Sequence, residues 1–134
     1  VLCQPEAAPS LDAAVAGLRK AGMIDELPKA LLARAAHRRG RAAAGEAGLI
    51  EAIRADLDEV ADIAGSEMRM HLTDLALERA RLALVVPAAF ETPAEALAEA
   101  KTQTALAATL VTETGYHRRD SEVAALKARL AAMA

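Results

Sequence analysis

Apolar positions recur along this chain at helical spacing, and no segment reads as a strand. The clearest case lies between positions 67 and 86. Leu72, Leu75, Leu82 and Val86 form one stripe, with Leu77, Ala80 and Leu84 forming a second beside it. Two stripes on one helix predict that it is covered on two sides, as in the middle of a stack. Arg79 interrupts the first stripe, and a structural arginine paired between helices is the favoured reading over a ligand contact.

Punctuation residues divide the chain into six helices. Ser10 stands where it can cap a helix over 10–21, and Gly22 stops it. Asp25 opens a second over 26–39, with Pro28 tolerated in the first turn. The third, over 46–64, ends at Gly65, and the fourth, over 67–85, is halted by Pro87. Thr92 and Pro93 make a cap and first-turn proline for the fifth, over 93–114, which ends at Gly115. Asp120 is placed to cap the sixth, over 120–133.

A weak internal repeat runs through these segments. "LDAAV" at Leu11, "LDEVA" at Leu57 and "LAEAK" at Leu97 read alike, and each precedes a glycine stop at Gly22, Gly65 or Gly115. Each following helix then carries an arginine before a small or apolar residue: Arg34-Ala35, Arg79-Ala80 and Arg129-Leu130. The hexapeptide "GYHRRD" from Gly115 therefore fills the same slot as "GMIDEL" and "GSEMRM". Three unlike hexapeptides in one slot suit a turn between helices better than an active-site loop. One amphipathic helix pair cannot bury both its faces, so consecutive pairs are expected to stack and share a core.

Composition agrees with this picture. The 134 residues allow one compact domain, and the strong helix formers Ala and Leu dominate while aromatics make up 1%. Alanine lets helices approach closely but buries little area per residue, so the core should be shallow. A net charge of −3 provides no overall field for nucleic acid or an acidic membrane, and no apolar run reaches the length of a membrane span. Cys3 is alone, so there is no disulfide framework, and a reducing, cytoplasmic setting is expected. The chain begins at Val1, which fits a piece of a longer protein.

Candidate chemistry is sparse. His37, His71 and His117 lie on different segments without a ligand partner one turn away, so no metal is expected. Cys3 sits in a proline-flanked terminus, and no serine occupies a nucleophile elbow. "GRAAAGEAG", from Gly40 to Gly48, lacks a phosphate-loop signature and reads as a flexible loop. "ADLDEVAD" reads as a solvated acidic helix face rather than an acid–base pair. The cluster Arg34, His37, Arg38, Arg39 and Arg41 carries more weight, because Arg34, Arg38 and Arg41 recur at i, i+4 and i+7 on one side of a helix. Pairing with carboxylates of neighbouring helices is the favoured reading, with an acidic peptide or nucleic-acid phosphate as the sharper one. No aromatic is interleaved for base stacking.

These segments resemble the tetratricopeptide repeat family, in particular the longer, divergent repeats near the C-terminus of large bacterial signal-transducing NTPases and regulators. The resemblance covers nearly the whole chain and is carried by "LPKALLARAAHRR", "ADLDEVADIAG", "HLTDLALERARLAL", "LAEAK" and "ETGYHRRDSEVAALKARL". Gly48, Leu57 and Val60 look like the glycine, large apolar and small positions around the second helix of a repeat, and Leu97 and Ala100 match the latter two in the next copy. The family's bulky aromatic positions hold Ala or Leu here, and Pro93 sits near a usual small residue.

The resemblance implies an all-α, right-handed solenoid of antiparallel hairpins in a single domain over 1–134. It further implies a scaffold that binds a protein or peptide on its concave face, without cofactor, metal or catalysis. Arg34, Arg38, Asp74 and Glu78 are the expected partner contacts. The alternative is a small helical nucleic-acid-binding domain using the Arg34 to Arg41 cluster.

Overall fold

The computed structural model describes residues 7–133, and Cys3 lies outside them. The fold is all-α, and the described residues form six helices: α1 (Ala7–Ala21), α2 (Leu27–Ala43), α3 (Ile50–Ala64), α4 (Arg69–Val85), α5 (Pro93–Thr114) and α6 (Asp120–Ala132). Single 3₁₀ turns cover Pro87–Ala89 and His117–Arg119, and the described residues contain no strand. The chain divides into two compact units, one ending at Gly65 and the other beginning at Ser66.

Helix ends follow the local chemistry unevenly. At Gly22 (φ +69°) the Met23 amide donates to Leu18 O and the Gly22 amide to Arg19 O, a Schellman stop that needs a left-handed residue. Gly115 closes α5 in the left-handed region, its amide donating to Val111 O at 2.9 Å. Thr92 Oγ1 caps α5 by accepting from the Glu95 amide at 3.1 Å, as the Thr-Pro pair predicts.

Several helix ends differ from the sequence expectation. Ser10 lies inside α1 rather than at its cap. α2 runs through Gly40 to Ala43 and stops instead at Gly45, where a second Schellman pair forms from Glu46 and Gly45 to Arg41 O and Ala42 O. α3 consequently begins at Ile50, not Glu46. α6 begins at Asp120 without a side-chain cap, because the Asp120 carboxylate faces His117 Nδ1 at 3.1 Å instead.

In the first unit α2 packs against both α1 and α3. Leu27, Leu31 and Ala35 of α2 and Ile53, Leu57, Val60 and Ala64 of α3 are buried at i, i+3, i+4 spacings. α1 fully buries only Val15, with Leu11 and Leu18 half-buried on the same face.

In the second unit α4 packs most extensively on α5. α4 is buried around most of its circumference, from Thr73 to Ala83, as its two stripes predict. Small residues are buried on both helices: Ala76, Ala80 and Ala83 on α4, and Ala96, Ala100, Thr104 and Ala107 on α5. A core cluster of Ala76, Leu77 and Ala80 from α4, Ala107 and Val111 from α5, and Val123 and Leu126 from α6 joins the three helices.

Candidate functional site

The i, i+4, i+7 spacing of Arg34, Arg38 and Arg41 brings all three to one side of α2, where carboxylates meet them. Asp56 of α3 is 3% exposed and accepts three hydrogen bonds. Arg34 donates from Nε at 3.0 Å and Nη2 at 2.7 Å, and Arg38 from Nη1 at 3.0 Å. Arg34 also reaches Asp12 of α1 at 3.1 Å, so one guanidinium joins three helices. The Asp56 hydrogen bond is the main reason the Arg34 pKa is raised, against the opposing effect of burial. Arg41 pairs with Glu46 just beyond the end of α2, and Arg19 of α1 forms a two-pronged pair with Glu59 of α3 at 2.7 and 2.8 Å.

Asp56 corrects the reading of "ADLDEVAD" as a solvated face. Asp58 and Asp62 are exposed, but Asp56 points inward with Ile53, Leu57 and Val60. Its position was legible: three residues after Ile53 and four before Val60 places it on the apolar stripe. No comparable signal marks Asp12. His37 is buried on α2, while His71 and His117 lie on other elements.

The "GYHRRD" segment forms a turn that also holds charged groups. Tyr116 is buried, the Arg119 guanidinium lies 5.5 Å from its ring centre, and its hydroxyl is 3.5 Å from Asp74 Oδ2. Arg119 Nε donates to Asp74 Oδ1 of α4 at 2.8 Å, and its Nη1 donates to Glu122 Oε2 of α6 at 2.8 Å. Arg81 of α4 donates to the other Glu122 oxygen at 2.7 Å. Two of the expected contact residues, Asp74 and Glu78, thus lie on α4 near this network; Glu78 is buried and 3.9 Å from Arg81. Arg34 and Arg38 are together on Asp56 in the first unit.

Burial works to raise the Glu122 carboxyl, but hydrogen bonds from Arg81 and Arg119 outweigh it and hold the pKa below its ordinary value. A depressed carboxyl stabilises the fold above its unfolded pKa, about 4.3, and that contribution is lost as pH falls through the lower folded value. Thermal melts of the wild-type chain should therefore fall away as pH drops below about 4. Glu122→Gln should melt lower at pH 7 and show a shallower acid decline. A variant whose acid decline matches the wild type would remove Glu122 from this role.

Between α5 and α6 lies an open groove of about 260 Å³. Ala108, Val111, Val123 and Ala124 make its apolar lining, with Asp120 and Lys127 among its polar residues. Among the described residues no group of His, Cys, Asp and Glu is arranged to hold a metal ion, and no helix is long and apolar enough to cross a membrane. No protein-family model, curated protein or solved structure matches the chain.

Proposed function

We propose that this chain is a non-catalytic helical scaffold, built on a tetratricopeptide-like plan within a larger regulatory protein, that engages a protein or peptide partner. The observation that carries the reading over nucleic-acid binding is the internal use of the basic cluster. Arg34 and Arg38 donate into buried Asp56, and Arg41 pairs with Glu46. Guanidiniums held in this way have little to offer phosphates, whose binding depends on free cations displacing counterions. The groove between α5 and α6 instead offers apolar surface beside single charges of both signs, which suits a peptide. Of the expected contacts, Asp74 and Glu78 lie on α4 beside the ion network at the start of α6, whereas Arg34 and Arg38 are engaged by Asp56 in the first unit.

Two measurements separate the readings. Fluorescence anisotropy with single- and double-stranded oligonucleotides at about 50 mM salt should show no binding. Peptides selected from a random library against the immobilised chain should stay bound at about 0.5 M salt, where surface charge pairs are screened. They should be lost on Ala108→Arg, which fills the groove. Salt-steep oligonucleotide binding that disappears in the double variant Arg38→Ala, Arg39→Ala, with no salt-resistant peptide, would replace the scaffold with the nucleic-acid reading.

A further inference from the structure

α6 is the helix of the second unit with the fewest buried residues, and ion pairs gather at its start. Of its 13 residues only Val123 and Leu126 are fully buried, and Leu130 is half-buried. A helix of this length is marginal on its own in water. It has no side-chain cap, and an open groove separates part of it from α5.

Three ionic hydrogen bonds gather at its start: Arg119 to Asp74, Arg119 to Glu122, and Arg81 to Glu122. These side chains are 19–31% exposed, so the bonds lie at the surface edge of the packing. Underneath, Ala76, Leu77 and Ala80 of α4 and Ala107 and Val111 of α5 form a continuous apolar floor, with Leu84 and Ala108 packed against it. α4 and α5 are joined by a long seam of their own, with Ala83, Ala96, Ala100 and Thr104 buried in addition to the floor residues. That seam does not need α6.

We propose that α4 and α5 form a helix-binding groove in which α6 is an ion-latched, replaceable occupant, and that the partner is an amphipathic helix of another protein carrying the same pattern. The pattern can be read from α6. A basic residue at the position of Arg119 answers Asp74, and an acid three residues on, as Glu122, answers Arg81. Apolar residues at the positions of Val123 and Leu126 then meet the floor, with Leu130 half-buried one turn on. Opening swings about Gly115, whose φ of +72° sets the end of α5. This deepens the protein-binding reading above with a second surface, exposed only when α6 opens, and rests on that reading for its use, whereas the opening of α6 is a property of the chain alone.

Hydrogen exchange on the intact chain tests the opening. α6 amides should exchange about tenfold or more faster than those of α4 and α5, because they open in a smaller unit. Raising salt from about 0.1 to about 1 M should speed α6 selectively, through screening of the latch. Glu122→Gln should add about a further tenfold, since it removes a charged acceptor from two arginines. A fluorescent peptide of residues 116–133 then tests the groove. It should bind Glu122→Gln at least about tenfold more tightly than wild type, in proportion to the open fraction.

Exchange of α6 in step with α4 and α5 in the wild type at both salts overturns the latch. So does loss of protection from all three helices together in the variant. A peptide that binds neither protein, or both equally, overturns the groove while leaving the scaffold reading to the library selection. A Glu122→Gln dimer in sedimentation would assign the groove to α6 of a second copy and overturn the outside partner.

Discussion

Asp56→Ala is expected to cost about 3 kcal/mol of stability, out of roughly 5–15 kcal/mol for a typical domain. Asp56 is 3% exposed, and its carboxylate accepts from Arg34 twice and Arg38 once. Removing it leaves two guanidiniums facing a site built for an anion, with Asp12 of α1 the carboxylate still near them among the described residues. Breaking a fully buried pair costs about 3–5 kcal/mol. The arginine side chains retain 17% and 21% of their exposure, which lets water recover part of the loss and points to the lower end.

The interaction also has a control that separates pairing from packing. Replacing all three groups at once, Arg34→Met, Arg38→Met and Asp56→Leu, removes desolvation and attraction together and should leave stability within about 1 kcal/mol of wild type. Asp56→Asn should fall between the two. Urea unfolding followed by circular dichroism reads all three variants. A loss below about 0.5 kcal/mol for Asp56→Ala, the size of an ordinary surface change, would mean that Asp56 does not join α2 to α3.

The same network shows how far the residues alone could be read. The face of α2 that carries Arg34, Arg38 and Arg41 follows from spacing, and the inward register of Asp56 follows from Ile53 and Val60. Which carboxylate from another helix meets Arg34 depends on how α1 is laid against α2, and nothing local at Asp12 encodes that. Helix ends divide in a similar way. Thr92, Pro93 and Gly115 mark α5 on both sides because each imposes a backbone geometry that its neighbours do not oppose. Gly40 and Gly45 look alike in sequence, yet α2 runs through the first and stops at the second.

Mid-helix glycine costs only about 1 kcal/mol, which the packing of α2 on α3 readily exceeds. Ser10 and Asp120 are good caps by type, but a cap is settled by where the preceding residues lead the chain. Asp120 instead faces His117 across the 3₁₀ turn. The charged groups that hold α6 were harder still. Arg81, Arg119 and Glu122 belong to two helices and a turn, and they meet only once those elements are in place.

The second large effect is expected from Ala80→Leu, which should destabilise the chain by about 3 kcal/mol, the upper end for overpacking. Ala76, Ala80 and Ala83 follow one another at i, i+4 and i+7 along α4, and Ala96, Ala100, Thr104 and Ala107 follow at similar steps along α5. All seven are buried to within 3% of full cover. With small side chains buried along these faces of both helices, added bulk there has little room. Ala80 itself is 0% exposed, so a leucine there has three additional carbons and no solvent to turn toward. It can be placed only by displacing α5 or α6, which share the cluster with Ala80, or by twisting out of its rotamer.

Ala124→Leu is the matched control, because Ala124 is exposed and lines the open groove between α5 and α6. The same three carbons there should be neutral or slightly stabilising. An alanine-rich core of this kind tolerates added bulk only where a gap already exists. Unfolding free energies in urea for the two variants that agree within about 0.5 kcal/mol would show that Ala80 is not tightly enclosed.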